Sequence, residues 1–381
     1  MNPVEERDRL LAEVAELEEQ FRGIGRLAET RAWAQERISE SPRTKPGQEG
    51  TTGVASDQQA QNAAAEAKRL PLTRSRPASL DEMVGQEDLR RQLSIVIGGA
   101  RLRGMPTPHV LLSGPPGFGK TSLAGIVAAE MGAPMVATSG LALGEPGDLV
   151  GVLTKIAPGS VVFVDEIHAA ARTVLEMLYT ALEDGTLPVV MGSGRDASAQ
   201  TVRLPTFTLV GATTRPGLLT APFRARFGFQ AEVSRYTVDE LSEIVARAWK
   251  RADVLFGESE PMEVARRCKG VPRLALHLAD RTLDFAAVAD MAGVPTGTAA
   301  LALDAFGIDE RGLTRQDWAV IRLLVGAAKP IGADAICSAL DMDKPTLVDQ
   351  IEPPLVQAGL IARIRTGRMA TEAAFELLSN T

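Results

Sequence analysis

Cysteine is almost missing from this chain: Cys268 and Cys337 are the only two in 381 residues. They lie far apart and in no metal-ligand spacing, which argues against a cysteine-based metal site and fits two core thiols in a reducing cytoplasm. Long apolar stretches are missing too. No run reaches the roughly 18 consecutive apolar residues that a membrane-spanning helix needs. The opening segment MNPVEERDRLLAE is acidic and helical in character rather than basic and then apolar, so no secretory signal is expected. Nor is there an excess of positive charge. With a formal net charge of −7, any contact with nucleic acid has to come from a local patch or from residues that converge in an oligomer. The expectations are a cytoplasmic protein without a membrane partner. A length of 381 residues exceeds the usual single core, and 45% hydrophobic content suits a soluble globular chain of two or three domains.

The most informative stretch is LLSGPPGFGKTS, from Leu111 to Ser122. An apolar strand-like run breaks into a glycine- and proline-rich loop, and a helix-forming segment follows from Leu123 to Met131. Gly114, Gly117 and Gly119 let the backbone turn its N–H groups inward around phosphate oxygens, where a helix N-terminus adds partial positive charge. Lys120 is placed to reach the β- and γ-phosphates and the Thr121 hydroxyl to ligate Mg²⁺. Gly114, Pro115, Pro116, Gly117, Phe118, Gly119, Lys120, Thr121 and Ser122 are therefore the candidate nucleotide-binding loop, with ATP and Mg²⁺ as its expected ligands.

About forty residues on, SVVFVDEIH reads as a buried strand that ends in two carboxylates, Asp165 and Glu166. Ligands of open parallel sheets lie at the carboxyl ends of the strands, so Asp165 is expected to face the metal and Glu166 the attacking water. The alternative is a pair of acids capping the next helix. His168 reads as a packing or hydrogen-bonded residue with no part in the chemistry.

Leu10, Val14, Leu17, Phe21, Ile24 and Ala28 recur at alternating steps of four and three. This short heptad seam fits a second helix or the protein's own surface equally well. Ser41 to Asn62 is polar and rich in Gly, Pro and Gln, the composition of a flexible tether. From Leu72 to about Val233 strand-like runs alternate with amphipathic helices, the strands being His109–Leu112, Pro134–Thr138, Ser160–Val164 and Thr206–Thr213. That alternation predicts a parallel α/β sheet. Leu187 to Leu204 reads as a projecting hairpin, and Val233 to about Leu303 as helical. From Gly312 on, three short helical patterns precede GLIARIRTGRMA, a two-stranded wing with Gly367 at its bend. A winged helix is the simplest fit.

The strings RPASLDEMVGQ, GPPGFGKT, TSGLALGEPGDL, VDEIH, FTLVGATTRPGLLTAPFRARFG, GVPR and QAGLIARIRTGRMAT occur in this order from Arg76 to Thr371. Together they resemble the RuvB family, AAA+ motors of Holliday-junction branch migration. The resemblance implies an AAA+ P-loop NTPase sheet with a helical lid and a C-terminal winged helix. The boundaries expected are an N-terminal amphipathic helix over 1–40, a linker over 41–71, the large nucleotide-binding domain over 72–232, the lid over 233–305 and the winged helix over 306–381. It further implies Thr214 as sensor 1, Arg226 as an arginine finger acting on the neighbouring subunit's ATP, and Arg273 as sensor 2. Arg76, Pro77, Val84, Gly85 and Gln86 would lie by the adenine, with Pro272 contributing from the lid. An arginine acting in trans requires a homo-oligomer, by resemblance a hexameric ring.

The family's DNA contact would fall on the wing, where Arg363, Arg365 and Arg368 are expected along one arm, sharing a face that grips phosphates without reading bases. A charged strand edge that deters aggregation is the bland alternative. The chain departs from the family at Thr366, which stands where an arginine is usual, and in the hairpin, where Gln200 replaces an apolar residue and Val202 keeps one. A RuvA-like partner is implied through that hairpin, and the segment ahead of the sheet suggests a further partner. An ATP-driven motor on branched DNA is the leading expectation. An AAA+ remodeller of a protein bound by the heptad helix and hairpin is the alternative.

Overall fold

The computed structural model describes residues 31–36, 71–74, 76–191, 198–327 and 329–379. The heptad helix and tether expected between Leu10 and Asn62, and the tip of the expected hairpin, lie outside these residues. The chain divides into two compact units. One is Thr73–Ile244 with Gly270–Leu274, and the other is Val245–Lys269 with Ala275–Thr381 and Met1–Leu72.

The first unit opens with α1 (Glu87–Leu102), which buries Leu89, Leu93, Ile97 and Ala100 on one face, at the spacing a helix requires. There follow β1 (Val110–Ser113), α2 (Lys120–Glu130), β2 (Met135–Ser139), α3 (Pro146–Leu153), β3 (Ser160–Asp165) and α4 (Arg172–Asp184). Then come β4 (Thr186–Met191), β5 (Ser198–Arg203), β6 (Phe207–Thr213), α5 (Ala221–Arg224) and β7 (Phe229–Glu232). Five strands make one parallel sheet in the order β2-β3-β6-β1-β7. This is the expected α/β class. All seven residues of β6 and the first five of β3 are buried, which is why both read as continuous apolar runs. The edge strand β7 was not legible: FQAE alternates half-buried and exposed positions, is short, and carries no β-branched residue. Its place comes from pairing with Val110–Ser113.

β4 and β5 form the expected antiparallel hairpin, with Thr186 opposite Arg203. Gly185, at φ 63, ends α4 and lets the chain turn directly into it. Leu187 is buried in the sheet's apolar cluster, whereas Gln200 is exposed. At the far side of the sheet, His109 Nδ1 accepts the Leu209 N–H at 3.0 Å, and burial lowers the pKa of that ring.

α6 (Val238–Arg251) leads into the second unit, followed by α7 (Glu260–Arg267), α8 (Pro272–Val288) and α9 (Thr298–Ala305). Arg267 is 1% exposed and is satisfied by Glu263 at 2.6 Å, Asp304 at 2.5 Å and the Ile308 carbonyl at 2.8 Å. A helical stretch at 31–36 buries Ala34 against Phe285, Ala289 and Ala302, and Arg31 Nε donates to the Val288 carbonyl at 3.1 Å. The rest is α10 (Arg315–Val325), α11 (Ala333–Leu340), a π-helical stretch Thr346–Ile351 running into α12 (Glu352–Gln357), β8 (Ile361–Ile364), β9 (Gly367–Ala370) and α13 (Glu372–Ser379). This is a winged helix around one apolar cluster that includes Val320, Ile336, Leu347, Leu355 and Leu377. Gly367 does not sit at the bend of the wing but opens β9. A Cβ there, at φ 152, would stand 2.5 Å from the Ile331 carbonyl oxygen, which bridges onto the same strand.

Cys268 is buried and Cys337 half-buried, and neither forms a disulfide. No helix among the described residues is long and apolar enough to cross a membrane.

Asp317, 1% exposed, joins α7's end to α10: it accepts from Lys269 Nζ at 2.5 Å and from the Thr314 N–H and hydroxyl, each at 2.7 Å. Asp317→Ala removes an N-terminal capping box and leaves Lys269 without this carboxylate, so it should lower the stability of this unit by roughly 3 kcal/mol. Chemical denaturation followed by circular dichroism would measure the loss.

Candidate functional site

β1 ends at Ser113 and the chain enters the glycine-rich loop with φ values of 144 at Gly114, 81 at Gly117 and 89 at Gly119. Two of these glycines are also needed for space. A Cβ on Gly114 would come 2.8 Å from the Val233 carbonyl oxygen, and one on Gly117 would come 2.9 Å from a Val271 methyl and 3.2 Å from Arg273 Cβ. α2 starts at Lys120, whose Nζ donates to the carbonyls of Gly114 at 2.7 Å and Pro115 at 2.9 Å. Burial lowers the Lys120 pKa, and the nearby carboxylates of Glu166 and Asp165 oppose that shift. Pro115, Thr121 and Ser122 are half-buried and Pro116 is exposed. Phe118 is 1% exposed, its ring 6.4 Å from that of Tyr236, with the Arg235 guanidinium 5.8 Å from its centroid. Burial pushes the Tyr236 pKa up and the Arg235 pKa down.

The two carboxylates stand at the carboxyl end of β3. Asp165 Oδ1 accepts the Glu166 N–H at 3.0 Å, which leaves Oδ2 unused by that bond. Glu166 sits in the left-handed region at φ 47, a conformation that costs a non-glycine residue on the order of 1–3 kcal/mol and persists only when its surroundings fix it. Here they do. Glu166 Oε2 accepts from the Thr214 N–H at 3.0 Å and the Thr214 hydroxyl at 2.9 Å, and lies 3.1 Å from His168 Nδ1. Gly140 packs so closely on this turn that a Cβ would collide with the Glu166 carbonyl oxygen.

His168, expected as a packing or hydrogen-bonded residue with no part in the chemistry, does make polar contacts, one of them with Glu166. Its Nδ1 is also 2.8 Å from Thr213 Oγ1, the last residue of β6. The sequence carried no signal for this, because Thr213 is remote along the chain and adjacent only through the β3–β6 pairing.

Of the residues expected by the adenine, Val84 and Gln86 are buried and Gly85 half-buried. Gln86, at φ 54, folds its amide back onto Ser234, with Nε2 donating to the Ser234 carbonyl at 2.6 Å and Oε1 accepting the Ser234 N–H at 3.1 Å. Glu240 lines the same rim unannounced by any motif, since a Cβ on Gly85 would stand 2.5 Å from its Oε1. Pro77 is half-buried and Arg76 exposed. Pro272 is the first residue of α8, and the next residue, Arg273, donates its backbone N–H to the Gly117 carbonyl at 3.2 Å. The GVPR segment therefore lies on the phosphate loop, with the Arg273 side chain exposed.

Arg226 is not gathered with these groups. Its side chain meets Tyr179 and Glu183 of α4. The wing arginines also depart from expectation, because they do not follow one arm. Arg363 on β8 is the cross-strand partner of Arg368 on β9, and Arg365 lies in the exposed turn between them. Both paired arginines grip Glu352, which is 0% exposed, at 2.6 Å each. The buried Glu352 carboxylate therefore offsets part of their charge.

Among the described residues no cluster of three or more His, Cys, Asp or Glu is built to hold a metal by itself. One hydroxyl, Thr121, and one carboxylate, Asp165, are hard oxygen donors of the kind that suit Mg²⁺, which takes few protein ligands and keeps water and phosphate oxygens.

Residues 75–233 match the family model described as the Holliday junction DNA helicase RuvB P-loop domain, 236–309 the RuvB AAA lid domain, and 310–379 the RuvB C-terminal winged helix domain. The chain is 47% identical over 302 residues to a Parafrankia protein named Holliday junction branch migration complex subunit RuvB, covering 79% of this chain and 86% of that one. A Corynebacterium aurimucosum protein of the same name is 43% identical over 305 residues, with 80% and 84% covered. Among solved structures, the Thermotoga maritima RuvB Holliday junction branch migration motor superposes with a TM-score of 0.70 at 38% identity, covering 80% of this chain and 98% of that one.

Gly117→Ala should impair nucleotide binding without unfolding the sheet. It places a side chain at φ 81 and against Val271 and Arg273, at a cost of about 1–3 kcal/mol, so ATP affinity measured by calorimetry should fall by roughly 5- to 150-fold.

Proposed function

This chain belongs to the RuvB family, and from that premise we propose that it is an ATP-driven motor that moves branched duplex DNA in recombination and repair. The observation that carries the proposal is one chain that joins a Lys120–Asp165–Glu166–Thr214 constellation beside a phosphate loop to a winged helix whose turn exposes Arg365.

The roles follow from the chemistry of each group. The loop N–H groups and Lys120 hold the β- and γ-phosphates, and binding draws Lys120 Nζ from the loop carbonyls onto phosphate oxygens. Thr121 and Asp165 would hold Mg²⁺, which would supply charge neutralisation at the phosphates. Glu166 orients the attacking water and receives its proton. The Thr214 hydroxyl donates to Glu166 and, as sensor 1, would read the γ-phosphate and couple it to that carboxylate. His168 supports Glu166 from the other side. Val84, Gly85 and Gln86 form the nucleoside rim, and Arg273 joins the phosphate loop to α8.

Arg226 completes the site of a neighbouring subunit, where an arginine stabilises charge developing in the transition state and is worth roughly 10³–10⁵ in rate. A shared site requires a ring of like subunits, six by family resemblance. The β4–β5 hairpin is the surface for a RuvA-type partner, and the wing that for DNA phosphates. A cytoplasmic location belongs to the same proposal.

Offered a four-way DNA junction with ATP and Mg²⁺, the protein should resolve it into duplex arms. Lys120→Ala should abolish this, and Glu166→Gln should retain ATP binding while turnover falls roughly 10²–10⁴-fold. ATP turnover indifferent to every DNA structure, yet stimulated by a protein partner, would favour a remodeller instead. At the wing, Arg365→Ala should weaken DNA binding about equally for all sequences and reduce the salt dependence by roughly one released counterion per engaged subunit. Titrations at several salt concentrations would read this directly.

A further inference from the structure

The backbone at Arg226 is fixed from both sides. Phe223 and Phe227 are buried, meet edge to face at 5.5 Å, and bracket a turn in which the Arg226 N–H donates to the Phe223 carbonyl at 3.1 Å. The side chain is fixed as well. Arg226 Nη2 donates to the Tyr179 hydroxyl and pairs with Glu183 Oε2 at 2.5 Å, while the guanidinium carbon lies 4.5 Å from the Tyr179 ring centroid. Tyr179 and Glu183 are one helical turn apart on α4 and so present a single face to it. The Tyr179 hydrogen bond and the Glu183 and Asp184 charges hold the guanidinium still more firmly in its charged form.

The manner of the grip separates two possibilities. A bidentate fork would occupy two nitrogens of the guanidinium at once. Here Tyr179 and Glu183 both take Nη2, and Nε is buried with no hydrogen-bond partner among the described residues. Neither contact engages Nη1 and its two N–H groups. A long side chain that must meet a phosphate across a subunit boundary gains most from being held in one orientation beforehand, because otherwise the encounter must also order it.

We propose that Tyr179 and Glu183 are positioning residues for Arg226, holding its guanidinium by Nη2 so that the Nη1 edge can enter the nucleotide site of the adjacent subunit. This rests on Arg226 acting in trans. The two residues touch neither substrate nor metal in their own subunit's site and act only through the arginine they hold.

Mixed assemblies test it on the full-length protein. Glu166→Gln subunits contribute an intact Arg226 but turn over little, and Arg226→Ala subunits contribute an intact nucleotide site without an arginine. Their mixture should hydrolyse ATP well above either alone; failure to do so would remove Arg226 from trans action and the bracket with it. Given that complementation, adding Glu183→Gln to the Glu166→Gln subunits should lower the mixture's kcat about ten-fold with little change in KM, and Tyr179→Phe there should lower it less. The same Glu183→Gln change in the Arg226→Ala subunits, which have no guanidinium to hold, should leave the mixture unaltered. Equal losses in both arrangements, no loss in the first, or a gain in the first would each overturn the proposal, the last because it would mark a restraining latch.

Discussion

Everything in the nucleotide site depends on three parallel strands ending at one level. β1, β6 and β3 are neighbours, with Ser113 beside Thr213 and Val164 beside Gly211. This register sets the phosphate loop, the Asp165–Glu166 pair and Thr214 side by side, although they come from segments far apart in the chain. A parallel ladder puts the carboxyl ends of all its strands on one edge, because the crossover connections return each strand in the same direction. A slip of one residue would turn Glu166 and Thr214 to opposite faces. The buried β-branched and apolar residues of β3 and β6 oppose such a slip.

The sheet also explains how Glu166 tolerates a left-handed backbone. Thr214 supplies two donors to a single carboxylate oxygen, His168 approaches the same atom, and Gly140 leaves room for the turn. The strained residue is thus gripped through its side chain by one neighbouring strand end and accommodated through its backbone by another loop. A carboxylate so anchored moves little, which suits a group that must orient water rather than bind it loosely.

Charge is handled differently in the second unit. Glu352, Asp317 and Arg267 are each nearly inaccessible and each answered by at least two partners. Buried ions of this kind add little net stability but penalise any arrangement that separates them. They fix α7 against α9 and α10, and the wing against α12. The wing arginines are drawn into that scheme, so Arg365 in the turn is more available to an outside phosphate than Arg363 or Arg368.

The sequence by itself determined the local features. The phosphate loop, four of the five sheet strands, the hairpin, the lid helices and the winged helix were legible, because glycine patterns, apolar runs and helical periodicity are written in neighbouring residues. The order of family motifs likewise implies roles for Thr214, Arg226 and Arg273. Only the tertiary structure decided which remote groups meet. It brought His168 to Glu166 and Thr213, Glu240 to Gly85, Tyr179 and Glu183 to Arg226, and Glu352 to two arginines that had been expected along one strand. It also added β7, whose short sequence without β-branched residues becomes a strand by pairing with the edge of β1. These contacts depend on strand register, helix facing and burial, quantities that no short window of sequence contains.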